Sequence, residues 1–147
     1  MSVLLAACLI TAVHDGDTVT ANCQQRAKPI SVRVAGIDAP EMAAFTWATQ
    51  PGAVEARDHA RELCLKKRAD VRLDKYDSRT KRWVARVSCS GFDLGTQMVV
   101  AGLAWVYMPP AKSDLPALQR AAQALKVGVW ANEAVAPSAW RSKGACR

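Results

Sequence analysis

Apolar and polar positions alternate with a period of two in several short runs along the chain. The clearest is ISVRVAGI at 30–37, which sets Ile30, Val32 and Val34 on one face and Ser31, Arg33 and Ala35 on the other. Similar runs predict strands at 8–14 and 17–24, and two more in ADVRLDKY and RWVARVSC, flanking a polar turn at 77–81. Between the first two strands lies Asp15-Gly16, a dipeptide favoured at the centre of a type I′ turn, where both residues take φ > 0. A two-residue turn there sets Cys8 opposite Cys23, within reach of a disulfide. The same register makes them a hydrogen-bonded pair, the wider type, so a bulge or slip is expected between them.

Helical spacing replaces alternation elsewhere. Residues 51–66 place Val54, Ala56, Ala60, Leu63 and Cys64 on one stripe, after a loop at 38–50. Asp93 is placed to N-cap a second helix that ends at Gly102, a C′ glycine. LAWVY is short and extended, and 114–126 carries Leu115, Leu118, Ala121, Ala122 and Leu125 at helical intervals. Five short strands with interspersed helices predict an α+β domain, a small Greek-key barrel with helices packed on it.

Composition narrows the setting. Half of the 147 residues are apolar, enough for one core and one domain. The net charge of +7 favours an anionic partner, with nucleic acid the commonest and acidic lipid the rival. No apolar run approaches the roughly 20 residues of a membrane-spanning helix. The opening MSVLLAAC reads as the remnant of a secretory leader or as a ragged first strand. Five cysteines favour export to an oxidising compartment, although Cys64 on a helix and Cys89 in a strand could each be a core thiol, and Cys146 lies in the tail.

The candidate chemistry is carboxylate chemistry. AVHDGDTVTA holds Asp15 and Asp17 two positions apart, and VRVAGIDAPE holds Arg33, Asp38 and Glu41. Asp17, Asp38 and Asp15 could converge at the barrel mouth, where a hard divalent cation such as Ca²⁺ would remove their mutual repulsion. An aspartate before a proline-bearing loop is also a common structural feature. Competing constellations are absent: the chain has two histidines, no Cys-x-x-Cys, no glycine-rich phosphate loop and no G-x-S-x-G.

The motifs VHDGDTV, VRVAGIDAPE, RWVARV, GLAWVY and GVW come in an order that resembles the staphylococcal nuclease-like (thermonuclease) family, over residues 9 to Trp140. The resemblance implies an OB-fold barrel, a five-stranded Greek key with three helices. It implies a nuclease-like domain over 9–142, with 1–8 ahead of it and a tail at 143–147. It also implies calcium-dependent hydrolysis of DNA and RNA; the cysteines and the leader-like start add the expectation of a secreted or periplasmic protein, taken as a monomer. Matched position by position, Asp17 and Asp38 correspond to calcium carboxylates, the backbone carbonyl of Ala39 to a further ligand, and Asp15 to an outer carboxylate. Thr18 corresponds to a supporting hydroxyl, Glu41 to the carboxylate that activates or orients the attacking water, and Arg33 to one of two phosphate-binding guanidinium groups. The second departs from the family's Tyr-Gly-Arg turn: Tyr76 is followed by DSRTKRWVARV, and Arg82 fits the strand pattern better than Arg79. Lys75, Tyr76 and Tyr107 match positions near a bound nucleotide. A binding module that keeps the barrel without the chemistry is the rival class, and joint retention of Asp17, Asp38, Glu41 and Arg33 argues against it.

Overall fold

The computed structural model describes residues 2–144; Cys146 lies outside them. Five strands build the barrel: β1 (Val3–Asp15), β2 (Thr18–Asn22), β3 (Ile30–Val34), β5 (Arg68–Asp77) and β6 (Arg82–Cys89). Two-residue strands β4 (Ile37–Asp38), β7 (Phe92–Asp93) and β8 (Trp105–Val106) decorate it. Neighbours run β3-β2-β1-β5-β6, and parallel pairing of β3 with β6 closes the ring. Alternation points Ile10, Val19, Val32, Val71, Leu73 and Val87 inward, each 2% exposed or less. The α+β class and the five-stranded barrel agree with the sequence pattern.

The first hairpin departs from its local turn grammar. Asp15 pairs with Thr18, so Gly16 and Asp17, not Asp15 and Gly16, form the turn. Neither Asp15 nor Gly16 has a positive φ, so the turn is not type I′. Register shifts between Val13 and Asp15 and between Ile10 and Ala12 then restore the pairing Ile10↔Ala21 and Leu9↔Asn22. Cys8 and Cys23 are bridged just beyond, with Cα atoms 4.2 Å apart. Packing accounts for the glycine: a Cβ on Gly16 would stand 2.8 Å from Ala39 Cβ and 3.0 Å from Ala56 Cβ.

Helix α1 (Ala53–Cys64) lies over β1 and turns Ala53, Ala56, Ala60 and Cys64 inward. Its buried stripe starts at Ala53, whereas Val54 is 40% exposed, a one-position correction to the pattern-based face. Small side chains let the helix approach closely and carry Cys64 to Cys89 at the end of β6. The two cysteines read as core thiols are therefore a second disulfide. Helix α2 (Leu94–Val100) is capped by Asp93, whose side chain accepts from Thr96 N at 2.9 Å, and ends at Gly102 with φ +69°. Helix α3 (Leu115–Leu125) packs against α2. A 3₁₀ turn follows at Gly128–Ala131, and then comes a fourth helix, α4 (Pro137–Gly144), beyond the three expected. No helix among the described residues is long and apolar enough to cross a membrane.

Two outcomes follow from this packing. Replacing Cys64 and Cys89 together by alanine opens a loop with a sequence separation of 25 residues. The unfolding free energy should fall by about 3 kcal/mol, read from urea titration, and an unchanged midpoint would contradict the cross-link. Gly16→Ala forces a methyl against two fixed Cβ atoms and should cost about 1–3 kcal/mol in the same titration.

Candidate active site

The site forms where strand ends meet at one mouth of the barrel. Register does most of the placing: Arg33 on β3 pairs with Thr18 on β2, and barrel closure sets Val32 beside Trp83 and Arg33 beside Val84. Arg82, at the start of β6, is thereby brought next to β3. Asp38 closes β4, whose pairing with β8 (Asp38↔Trp105) and the bond from Tyr107 N to Gly36 O at 2.9 Å draw Tyr107 to the same end.

Two carboxylates sit almost out of water, Asp17 at 4% and Asp38 at 3% exposure. Burial at this level demands compensation, and Arg33 supplies it to both. Its Nη1 lies 2.7 Å from Asp17 Oδ2, and its Nη2 3.0 Å from Asp38 Oδ1. Asp17 Oδ2 also accepts from Ala39 N at 2.7 Å, and its Oδ1 accepts from Thr18 Oγ1 at 2.9 Å. Asp15 Oδ1 accepts from Asp17 N at 3.0 Å, which holds the two aspartates in one tight turn. Burial above all, and then the charge of Asp15, raise the Asp17 carboxyl to a pKa of about 7 despite the opposing pull of Arg33.

Glu41 sits on the loop after β4, pinned by buried Gln50. Gln50 Oε1 accepts from Glu41 N at 3.1 Å, and Gln50 N donates to Glu41 O at 2.8 Å. Burial raises the Glu41 carboxyl above its ordinary range, against a hydrogen bond from Arg141. Arg82 Nη1 reaches Thr18 Oγ1 at 3.5 Å, a long contact, and its buried Nε has no hydrogen-bond partner. Arg82 lines the cleft, and a guanidinium there with so few protein partners suits an anionic oxygen. Arg79 is exposed in a turn built around Asp77, whose Oδ1 accepts from Arg79 N at 3.0 Å.

Most of these groups border one cleft of about 1040 Å³; Asp38 and Ala39 are not among its lining residues. Asp15, Asp17, Arg33, Glu41, Lys75, Tyr76, Arg79, Arg82 and Tyr107 all line it. Tyr76 packs against Trp83 with ring centroids 5.1 Å apart and stays half exposed, as does Tyr107. Trp105 instead packs on Trp130, and His14 is engaged with Thr20 Oγ1 at 2.8 Å.

Arg141 was not foreseen. It projects from α4 into the site, where Nη2 lies 3.0 Å from Asp38 Oδ2 and Nη1 meets Glu41 Oε1. Burial of Pro137, the bond from Trp140 Nε1 to Ala48 O at 2.9 Å, and that from Gln50 Nε2 to Val135 O at 2.6 Å dock α4 there. No local pattern in the sequence marks this residue: Trp140 takes its anchoring role only in the fold.

The donor set can be tested against a cation. Every candidate ligand is a hard oxygen: the Asp17 and Asp38 carboxylates, the Ala39 carbonyl and Asp15, which is calcium's chemistry and not that of a soft metal. Among the described residues no three carboxylate, histidine or cysteine side chains are gathered at metal-holding distance. A cation here would thus rest on two carboxylates, backbone oxygen and water. The residues fit on those terms.

Comparison with known proteins identifies the family. The family model described as staphylococcal nuclease homologue matches residues 31–132. A protein of Colletotrichum graminicola named "Probable endonuclease LCL3" is 39% identical over 123 residues, covering 74% of this chain and 44% of the relative. An "Uncharacterized endonuclease" of Haemophilus influenzae is 33% identical over 137 residues, covering 91% of this chain and 72% of the relative. The chain spans less than half the length of the fungal LCL3 relative. On that match and that relative, the chain belongs to the staphylococcal nuclease homologue family.

Proposed function

We propose that this chain is a nuclease that hydrolyses the phosphodiester bonds of DNA and RNA, uses calcium, and has little sequence preference. One observation carries the reading: Arg33 joins two buried carboxylates, Asp17 and Asp38, beside a cleft that Asp17, Arg33, Glu41 and Arg82 line together. The endonuclease names of the relatives support the reaction class. A net charge of +7 suits a polyanionic substrate.

In this reading Arg33 and Arg82 grip the scissile phosphate from two sides and offset the charge that builds on its oxygens. Glu41 takes the proton of the attacking water as the water oxygen bonds to phosphorus. The bond to the leaving oxygen breaks, and that oxygen takes a proton from solvent to leave as a hydroxyl. Burial raises the Glu41 carboxyl above the ordinary range, which makes it a stronger base than a solvated glutamate. Asp17, Asp38 and the Ala39 carbonyl hold the calcium, Thr18 orients Asp17, and Asp15 acts from the outer shell. When bound, the ion supplies Lewis-acid polarisation of a phosphoryl oxygen. Tyr76 and Tyr107 offer faces for bases and Lys75 meets a phosphate, contacts every nucleotide can make. Two disulfides support a secreted or periplasmic setting, in which we take the protein to act as a monomer.

Plasmid DNA and RNA should be degraded in CaCl₂ and left intact in chelator; equal turnover in both would sink the calcium reading. Arg33→Ala and Arg82→Ala should each lower kcat by at least ~10²-fold, the scale of losing one charge-stabilising donor. Arg79→Ala should act on KM and salt dependence instead. Full activity in all three variants would end the phosphate-clamp mechanism, and the barrel would be read as a binding module.

The pH dependence of stability checks the buried carboxylate. Because the folded pKa of Asp17 is raised from 3.8 to about 7, the folded state binds more protons than the unfolded state between those values. That contribution is complete below pH 3.8 and lost as pH rises through about 7. In chelator the Tm should therefore decline over this window, with Glu41 adding in the same direction, and Asp17→Asn should flatten the decline. CaCl₂ requires the ionised carboxylate, so its thermal stabilisation should be larger at pH 8 than at pH 5. A Tm in chelator that rises across the window would contradict the raised pKa.

A further inference from the structure

Both carboxylate oxygens of Asp38 are engaged by arginine. Its Oδ1 accepts from Arg33 Nη2 at 3.0 Å and from Arg141 Nη1 at 3.2 Å, and its Oδ2 accepts from Arg141 Nη2 at 3.0 Å. Arg141 Nη1 also meets Glu41 Oε1, so one guanidinium spans both carboxylates. The two arginines differ in standing. Arg33 is built into a barrel strand and bridges Asp38 to Asp17. Arg141 comes from the last helix, its side chain 32% exposed, and approaches from the cleft side. A divalent ion on a carboxylate oxygen sits at roughly 2.3–2.6 Å, within the space a guanidinium nitrogen on that oxygen already claims. Two cations that close on one buried oxygen repel strongly.

We propose that Arg141 is an internal counter-cation: it holds Asp38 and Glu41 while the site lacks calcium, and it withdraws from Asp38 for that carboxylate to take the ion. This rests on the calcium reading above. Arg141 is a positioning residue whose hold on Asp38 opposes calcium binding, and α4 is coupled to the site. Linkage makes the coupling reciprocal: Arg141 weakens calcium binding, and calcium weakens the hold of the site on α4. Glu41 is freed from one side by the same movement, which returns a carboxylate to the cleft.

Calorimetric titration of the full, disulfide-intact chain with CaCl₂ tests this without substrate. Arg141→Met keeps length and removes charge, and should bind calcium on the order of tenfold more tightly than wild type, a factor usual for coupled sites. Arg141→Lys keeps the charge without the two-pronged grip and should fall between. Hydrogen exchange on the unmodified chain supplies a readout that needs no variant. Calcium should lower the protection of amides in α4 while raising it around Asp17 and Asp38. Equal or weaker affinity in Arg141→Met, or protection of α4 that rises with calcium, overturns the proposal while calcium binding by wild type still stands. Absence of calcium binding in folded wild type and both variants overturns the calcium reading itself, and this inference with it.

Discussion

Two aspartates are held almost out of water by one arginine, and much of the barrel mouth is arranged around that contact. Asp17 and Asp38, at 4% and 3% exposure, would be strongly destabilising alone. Arg33 reaches both at 2.7 and 3.0 Å only because β3 is fixed on both sides, by Thr18 of β2 and by Val84 of β6. Barrel closure and charge compensation therefore depend on one another. The same contact explains smaller details. Ala39 N must face Asp17 Oδ2, which brings the chain after β4 over the first turn, and Gly16 has no side chain because Ala39 and Ala56 fill that space.

The parts of the fold that were legible in the sequence are those decided by near neighbours. Alternation placed β3, β5 and β6, and Asp93 with Gly102 bounded α2, because periodicity and caps are local physics. The first turn was misread for the opposite reason. Asp15-Gly16 favours type I′ in isolation, but packing beneath Gly16 shifted the turn by one residue and bulges absorbed the difference. Cys64 and Cys89 looked like separate core thiols since their meeting depends on how α1 crosses the barrel end, which no local pattern encodes.

The site divides the same way. Asp17, Arg33, Asp38 and Glu41 lie in two contiguous motifs, and strand register was enough to favour Arg82 over the looped Arg79, which stands exposed while Arg82 is half-buried beside Thr18. Lys75, Tyr76 and Tyr107 could be put near the cleft by motif, and all three line it. Arg141 had no such signal. It is one basic residue in a short polar helix, and its meaning comes from Trp140 and Pro137 docking that helix over the loop that carries Glu41.

Charge accounting shows why a third arginine belongs there. The inner site holds four carboxylates, Asp15, Asp17, Asp38 and Glu41, facing three guanidinium groups, Arg33, Arg82 and Arg141. With all seven ionised the balance is one negative charge, a mild residue for a cleft with two buried acids. Without Arg141 it would be two, and the excess would fall on Asp38 and Glu41, where water cannot screen it well. In the proposed cycle a dication enters as Arg141 withdraws, and the set of remaining groups becomes neutral. Adding the dication with Arg141 still in place would leave an excess positive charge against the guanidinium. Exchange of Arg141 for a dication takes the site from one negative charge to none, where retention would overshoot to one positive charge. Before the ion arrives, Arg141 keeps the inner site near neutrality. A barrel mouth that buries two carboxylates needs that condition in order to stay folded before the ion arrives.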